Sequence, residues 1–435
     1  MSTIPHVAAA MQTVLTEVAD QAGRDTDFIQ REVKLRGSTF TQILTFGWLS
    51  DPEATIEALA QTAVALGVPI SPQGLSQRFT EEAAACLEQV FAAAVQQIVS
   101  AEPVALPLLA RFAAVQVQDS STIALPEALA DVWFGCAEES AALKVHLGLD
   151  LCSGRLDGPV ISDGCTHDST VTLPTALPMG SLRLIDLGYF DLDAFATLTE
   201  QDIGFLSRFK TGTIVWDVDR VRWDLPDLLA AQTDDVVDLP LSLGQCGQLR
   251  CRLLAVRAPQ EVVDQRRRRL YAAARGHGRA PSAASLALAA WTILITNVPV
   301  SKLTVREALI LARARWQIEL LFKLWKGQGR IDESRSGKAW RVMCEVFAKL
   351  LAMLIQHWIL VVSCWAYPDR SLTKATQTVR RLALTLAQAF RDPARVIEVL
   401  TTIQDCVAVG CRINKRKQAP HSYQLLFGVD PEILA

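Results

Sequence analysis

Hydrophobic residues recur at helical spacing over the first hundred residues, which predicts an N-terminal region made of helices. The segment EATIEALAQTAVALG is amphipathic and stops at Gly67. Ser71 is a good N-cap, and Pro72 suits the first turn of a second helix. This order matches a helix-turn-helix, but any two packed helices with a glycine turn would give a similar pattern.

From about residue 110 the hydrophobic period changes to that of strands. Alternating apolar residues lead up to Asp119, and a fourth strand, GSLRLIDLGYF, ends at Asp186. The two strands between them are joined by a turn at Ser153–Gly154, and a helix and a fifth strand follow Asp186. This succession predicts a mixed α/β core.

Residues 214–300 do not continue the alternation of strand and helix and contain short strand-like runs instead. Seven Asp and two Arg fall in 214–245, whereas nine Arg fall in 250–279 against Glu261 and Asp264. The segment is predicted to be a β-rich insertion with a basic loop. An arginine run forms either a solvated face or a phosphate contact, and the contrast of charges leaves both interpretations open.

Helical periodicity returns in the C-terminal third, which includes the segment RARWQIELLFKLWK from Arg313 onward. Its apolar residues form one stripe, yet Arg315, Glu319 and Lys326 fall within an arc of roughly 40° on a helix. An ion pair between Arg315 and Glu319 explains only part of this arrangement, because Lys326 and Lys323 extend the same side.

Composition and charge limit the class of protein. The chain has 435 residues, half of them hydrophobic, and a net charge of −3, so any attraction to nucleic acid must come from local patches. No secretory signal is predicted. The apolar run VFAKLLAMLIQHWILVVSCWAY is interrupted by Lys349, Gln356 and His357, which favours a buried core helix over a membrane span. Ten cysteines without zinc-type spacing predict free thiols in a reducing cytoplasm.

Three carboxylates are the candidates for chemistry. Asp119 and Asp186 are predicted at the ends of apolar strands, and Glu319 lies on a largely apolar helix. Each Asp alone is more often a turn residue, since DSS and DLG both suit turns. Together, three carboxylates can hold two Mg²⁺ ions roughly 4 Å apart for phosphoryl transfer, with nearby cations on the phosphates.

At these residues the chain resembles a known family. RWQIELLFKLWK contains R-x3-E-x6-K as Arg315, Glu319 and Lys326, which is similar to the YREK motif of the DDE transposases of the insertion-sequence-four family, relatives of the transposon-five transposase. The order of two strand aspartates, a β-rich insertion and a glutamate helix also fits. The motif tyrosine falls on Ala312, which puts one DNA contact in doubt but no metal ligand.

The resemblance implies an α/β fold with an RNase H-like mixed-sheet catalytic core and a β-rich insertion, flanked by N-terminal and C-terminal helical regions. The implied regions are a helical, helix-turn-helix-like DNA-binding region (1–105), the first part of the core (106–213), the insertion with its basic loop (214–300), the second part of the core with the catalytic Glu helix (301–366) and a C-terminal helical region (367–435).

The implied activity is binding of terminal inverted repeats, followed by metal-dependent DNA cleavage and strand transfer. Asp119, Asp186 and Glu319 would be catalytic and would bind two Mg²⁺ ions, with Mn²⁺ as a substitute. The implied partners are double-stranded DNA, both terminal inverted repeats and target DNA, and a second copy of the chain in a dimeric synaptic complex. No membrane partner is implied. The implied location is the bacterial cytoplasm, at the nucleoid when the protein is bound to DNA. Candidate DNA-binding residues are Arg315, Lys326, Lys323, Arg208, Lys210, Trp291, Gln73, Gln77 and Arg78.

Some of these assignments keep a structural alternative. Trp291 could stack on a flipped base, an interaction worth about 1–3 kcal/mol, but the run AAWTILI slightly favours a core position. Arg208 and Lys210 either contact the DNA end or lie at a solvated strand edge. Trp316 and Trp325 are predicted to pack the glutamate helix against the core.

Two other functions also stay open. A catalytically silent repressor derived from such an enzyme would bind DNA without cutting it, although intact acidic residues argue against decay. An RNase H-like nuclease would use the same acids but would leave the basic stripe around Glu319 unexplained.

Overall fold

The computed structural model describes residues 2–31, 35–137, 139–276, 278–367, 369–413 and 426. Within these ranges helices occupy both ends of the chain and strands its middle. The helices are α1 (Ile4–Gln12), α2 (Ala19–Asp25), α3 (Gly37–Ser50), α4 (Ile56–Ala65), α5 (Pro72–Ser76), α6 (Glu81–Val95), α7 (Leu192–Glu200), α8 (Leu225–Ala230), α9 (Gln260–Gly276), α10 (Ala283–Leu288), α11 (Val305–Ala314), α12 (Trp316–Gly327), α13 (Ala339–Leu360), α14 (Leu372–Ala389) and α15 (Pro393–Gly410).

Ten strands occur in the described part of the chain, largely where the alternation of apolar residues predicts them. They are β1 (Val115–Leu125), β2 (Ala141–Asp150), β3 (Leu156–Asp163), β4 (Leu182–Ile185), β5 (Gly204–Arg208), β6 (Val215–Trp216), β7 (Arg222–Trp223), β8 (Val236–Leu243), β9 (Leu249–Arg257) and β10 (Trp291–Thr296).

The chain divides into two compact units. The first consists of Met1–Ala105, Asp119–Thr175 and Ile318–Arg416. The described parts of the second are Leu106–Gln118 and Ala176–Gln317. One boundary between the units therefore falls between Gln118 and Asp119, and another falls between Gln317 and Ile318, next to Glu319.

The second unit contains most of the strand pairing. The start of β1 is parallel to β4, with Val117 opposite Leu184, and β4 is parallel to β5. Strand β10 then joins β5 to β9, and β8, β6 and β7 follow, all antiparallel. Because β4 and β5 run parallel, their carboxyl ends lie at one edge of the sheet, where a functional site is commonly formed.

The first unit is mainly helical and is built around α13. Helices α3 and α6 pack on α13, and the hairpin of β2 and β3 turns at Ser153–Gly154, as the sequence predicts. The stretch Ala339–Trp365 is long and apolar enough to cross a membrane, but 94% of its apolar window is buried inside the protein. This burial agrees with the predicted core helix.

All ten cysteines lie within the described residues, and all are free thiols, as predicted.

The second helix of the predicted helix-turn-helix is shorter than the pattern suggests. Ser71 caps α5 as predicted, but α5 has only five residues, so Gln77 and Arg78 follow its end. The Thr80 hydroxyl then accepts from the N–H of Ala83 and starts the separate helix α6. Little more than one helical turn is available here, which departs from the predicted recognition helix.

The basic segment of the insertion is also different from the prediction. Where a basic loop is predicted, α9 forms a helix over Gln260–Gly276 that contains the run Arg266–Arg269. Arginine and alanine, which dominate this segment, are both good helix formers. Three of the other arginines lie on or beside β9 rather than in a loop: Arg250, Arg252 and Arg257.

A buried histidine ties α13 to the β2–β3 turn. His357 is 3% exposed, and its Nε2 lies 2.7 Å from the carbonyl oxygen of Gly154, to which it donates as the neutral tautomer. Gly154 has φ 71°, and a Cβ there would meet the ring of Trp365 at 2.4 Å, so only glycine fits this approach.

This histidine predicts acid-dependent stability. Burial lowers the pKa of His357 from 6.5 to about 4, whereas the unfolded chain takes up the proton near the ordinary value. Its contribution to the free energy of unfolding is therefore complete above pH 6.5 and is lost as the pH falls towards 4, by up to about 1.4 kcal/mol per pH unit. Urea unfolding between pH 4 and 7.5 should show a shallower pH dependence for His357→Gln, and the exposed His6→Gln serves as the control. An equally steep dependence in His357→Gln would contradict the assignment.

Candidate functional site

Asp119 lies within a strand rather than at its end. It is the fifth of the eleven residues of β1 and is partly buried, and the fully buried run of the strand stops just before it. The prediction of a strand end is wrong because β2 lies beside β1 and gives the backbone beyond Asp119 a hydrogen-bonding partner. The Oδ1 atom of Asp119 accepts from the N–H of Ser120 at 2.9 Å.

Ser120 belongs to a polar network within the first unit. The Ser120 hydroxyl donates to Oδ1 of Asp168 at 2.8 Å, and Nζ of Lys144 donates to the same oxygen at 3.2 Å. Lys144 also donates to the carbonyl of Thr166 at 2.7 Å. The fully buried His146 has its Nδ1 3.9 Å from this oxygen, and burial lowers its pKa. Asp168 is thus a shared partner of groups on β1 and β2.

The sequence does not predict this network, because neither His146 nor Asp168 belongs to a recognisable motif. One signal was available, because Lys144 and His146 are two residues apart on a strand and so point to the same face. The partner Asp168 is 48 residues from Ser120, and no local pattern indicates that contact.

Asp186 directly follows β4, as predicted, and it lies beside two arginines of the second unit. Arg208, at the end of the neighbouring β5, donates through Nη2 to Oδ1 at 2.8 Å, and Nη2 of Arg315 lies 3.7 Å from the same oxygen. Partial burial alone would raise the pKa of Asp186, but the Arg208 hydrogen bond and the Arg315 charge together hold it below the ordinary value. This carboxyl group is therefore ionised and paired with cations.

The predicted single helix around Glu319 is divided. Helix α11 ends before Arg315 and α12 begins after it, although Arg315 keeps right-handed helical angles (φ −50°, ψ −30°). Arg315 and Lys326, which are predicted to share one helix face, therefore contact different parts of the chain. Arg315 reaches Asp186, whereas Nζ of Lys326 donates to the carbonyl of Thr122 at 3.0 Å.

The Lys326 contact joins two candidate elements of the first unit. Thr122 lies on β1, three residues after Asp119, and Lys326 lies on α12, which also carries Glu319. Lys326 is also 3.7 Å from Asp332. Lys326 therefore connects α12, which carries Glu319, to β1, which carries Asp119.

Asp119, Asp186 and Glu319 are the candidate metal ligands. Their oxygens are the hard donors that Mg²⁺ and Mn²⁺ prefer, so the donor chemistry fits a divalent ion. Across the described ranges, no group of three or more His, Cys, Asp or Glu side chains is close enough to hold a metal ion. A ready-made three-ligand group is therefore not present among these residues.

Trp291 occupies a packed position, in line with the slight preference for the core. It is 7% exposed, the Arg257 guanidinium lies 4.4 Å from its ring centroid, and its carbonyl accepts from Arg266 at 2.8 Å. Trp325 is buried, as predicted, whereas Trp316 is 44% exposed and is therefore less buried than its predicted packing role suggests.

The remaining candidates lie at the surface to different degrees. Lys210 is exposed, with Nζ 5.8 Å from the ring centroid of Phe190. Ala312, which stands at the position of the motif tyrosine, is partly buried on α11. Lys323, Gln73 and Gln77 are exposed, and Arg78 is partly buried.

Comparison with known proteins gives a consistent set of relatives. Residues 111–355 match the family model described as the transposase DDE domain. The chain is 26% identical over 379 residues to the transposase for insertion sequence element IS231F of Bacillus thuringiensis subsp. israelensis, which covers 81% of this chain and 79% of the relative. It is 23% identical over 370 residues to the transposase for IS1151 of Clostridium perfringens, with 79% and 78% covered. It is 32% identical over 241 residues to the putative transposase InsL for IS186A of Escherichia coli (strain K12), with 53% and 64% covered.

Proposed function

Because this chain belongs to the family of transposases with a DDE domain, we propose that it binds the terminal inverted repeats of an insertion sequence and catalyses cleavage and strand transfer at them. The observation that carries this proposal is the contact of Arg315 with Asp186. Arg315 belongs to the motif around Glu319, and its contact with Asp186 supports the proposal because a guanidinium beside a candidate catalytic carboxylate is suited to bind a DNA phosphate.

The roles follow from the chemistry of each side chain. Asp119, Asp186 and Glu319 would hold divalent ions, which when bound supply charge stabilisation for phosphoryl transfer. Arg208 and Arg315 present planar guanidinium groups that suit the two oxygens of a DNA phosphate, and they hold it beside Asp186. Cleavage exposes a 3′-hydroxyl at the element end, and that hydroxyl attacks either the opposite strand or target DNA.

Two further parts of the proposal concern assembly and location. A homodimer joins two element ends in one synaptic complex, so that each copy acts on DNA held by the pair. The protein works in the bacterial cytoplasm, at the nucleoid when it is bound to DNA. A concentration-dependent change in sedimentation on addition of end-containing duplex tests the dimer.

The test of function is cleavage of a duplex that carries the inverted repeats flanking the gene. With Mg²⁺ or Mn²⁺, the wild-type protein should cut at the repeat end, and a duplex with a scrambled end should stay intact. Equal cutting of both duplexes would favour the nuclease alternative. Specific binding without any cutting would favour the silent repressor and overturn the proposed activity.

The network around Asp168 predicts a positioning role. Asp168→Asn keeps the size of the side chain but removes the charge that holds Lys144 and Ser120, so β1 should lose its support beside Asp119. By analogy with partners of metal ligands, we expect the Mg²⁺ concentration for half-maximal cleavage to rise about 10–100-fold, with unchanged DNA affinity. Cleavage rates against Mg²⁺ concentration measure this effect.

The matched control for this prediction is Asp131→Asn, which removes the charge of an exposed aspartate in the same unit. It should leave the Mg²⁺ dependence unchanged. Lys144→Arg, which retains a cation for Asp168, should lose less than Lys144→Met. A lower rate with the same Mg²⁺ dependence in Asp168→Asn would indicate a general structural defect and contradict the positioning role.

A further inference from the structure

The arginine run on α9 is divided between two faces of the helix. Arg266 donates through Nη1 to the carbonyl of Trp291 and through Nη2 to the hydroxyl of Thr292, both at 2.8 Å. Arg267 donates through Nε to the carbonyl of Leu286 at 3.3 Å. These two arginines fasten α9 to β10 and α10, so they have a structural role within the second unit.

The other arginines of the helix point outward. Arg268, Arg269 and Arg275 are exposed, and within the described ranges none of them forms an ion pair or a hydrogen bond through its side chain. Arg268, Tyr271 and Arg275 are three and four residues apart, which places them on one stripe of the helix. Tyr271 is 50% exposed between the two cations. The stripe is therefore a basic surface with an aromatic side chain at its centre.

Among the described residues, no acid of the insertion forms an ion pair with the arginines of this stripe. Asp238 forms an ion pair with Arg252, and Asp235 forms one with Arg257 at 2.7 Å, so both are used by arginines of β9. Asp264, at the start of α9, accepts from Gln260 at 2.8 Å. Arg269 lies about 100° around the helix from Arg268, and Asp264 keeps its charge one turn before Arg268. The three arginines still outnumber this acid, so a polyanion would be attracted to this side of the helix.

We propose that Arg268, Arg269 and Arg275 form a phosphate-binding surface for duplex DNA of any sequence, where the identity of the partner rests on the proposed function. The rise from Arg268 to Arg275 is about 10 Å along the helix axis, which is close to three nucleotide steps of about 3.4 Å along one DNA strand. Phosphates are common to every sequence, so the surface holds DNA in place without reading its bases.

The experiment measures binding of the full chain to two duplexes of equal length, one with the element end and one unrelated, between 50 and 200 mM salt. The triple variant Arg268→Gln, Arg269→Gln and Arg275→Gln should weaken binding to both duplexes by the same factor. The slope of log affinity against log salt should become shallower by about 2.7, since each phosphate contact contributes about 0.9. A triple variant of exposed arginines elsewhere, Arg222→Gln, Arg381→Gln and Arg395→Gln, is the charge-matched control and should keep the wild-type slope.

Each outcome bears on the proposal. An unchanged slope in the α9 triple variant would overturn it, and so would weaker binding to the end-containing duplex alone, because the surface would then read sequence. If the triple variant does not fold, Arg275→Gln alone should reduce the slope by about 0.9. If the triple variant has the shallower slope but the wild type cuts no DNA, the binding surface is supported and the proposed function is contradicted. If the wild type cuts DNA normally but the triple variant keeps the wild-type slope, the proposed function is supported and the surface is contradicted.

Discussion

Replacement of Glu319 by glutamine is expected to reduce cleavage of an end-containing duplex by at least about 10²–10³-fold. The amide keeps the size and polarity of the side chain, but it lacks the negative charge that a divalent ion requires. Binding to the same duplex should remain, because Lys326 still fastens α12 to β1 through the carbonyl of Thr122. Single-turnover cleavage, with binding measured in parallel, separates the two effects.

The matched control is Glu398→Gln, which makes the same chemical change on the exposed surface of α15. It should cut like the wild type. If Glu319→Gln cuts equally well, the assignment of Glu319 as a catalytic carboxylate is wrong. A variant that loses binding together with cleavage would instead show that Glu319 supports the folded helix.

Lys349→Met is expected to cost about 3–5 kcal/mol of the free energy of unfolding. Lys349 is 2% exposed on α13, and its Nζ lies 2.7 Å from Oε1 of the equally buried Glu345. It also donates to the carbonyls of Arg330 and Glu333, at 2.9 and 2.8 Å, in the segment between α12 and α13. Without the ammonium group, the buried carboxylate of Glu345 loses its cation and keeps the Ser334 hydroxyl as a donor, and both carbonyls lose their bond to the lysine.

Urea unfolding measures this loss, and Lys338→Met, at an exposed lysine near the start of α13, is the control. The double variant Lys349→Met and Glu345→Leu should be more stable than Lys349→Met alone, because it removes the uncompensated carboxylate as well. A loss below about 1 kcal/mol in the single variant, in the range of an exposed pair, would contradict the buried ion pair.

Local patterns predicted most of the fold. Alternation predicted β1 to β5 and the Ser153–Gly154 turn, and helical spacing predicted α4, α7 and the buried α13. The family match confirms the predicted membership and the α/β fold with its RNase H-like core. These features depend on residues that are close in sequence, which is why periodicity can reveal them.

The errors arose where distant residues decide the structure. Local alternation predicts a strand end at Asp119, because it does not reveal pairing with a neighbouring strand. The charge pattern predicts a basic loop, whereas the structure has a helix, α9, that Arg266 joins to Trp291 and Thr292. The apolar spacing predicts one continuous helix around Glu319, and no proline or glycine signals the break at Arg315.

For the candidate site, the sequence names residues but does not indicate the contacts that they make. The sequence singled out Asp186 and Arg208 separately, yet their ion pair depends on the adjacency of β4 and β5. Similarly, the link from Ser120 through Asp168 to Lys144 joins residues far apart in the chain. The convergence of all three carboxylates on bound metal remains a proposal that the cleavage experiments test.

Several donors of this protein bond to main-chain oxygens of distant residues. Lys326 bonds to the carbonyl of Thr122, Lys349 to two carbonyls, and His357 to that of Gly154. Every amino acid supplies a carbonyl, so a mutation at an accepting position such as Thr122 leaves the acceptor in place. Sequence changes at such positions therefore need not disturb these bonds, whereas replacement of the donor itself removes them.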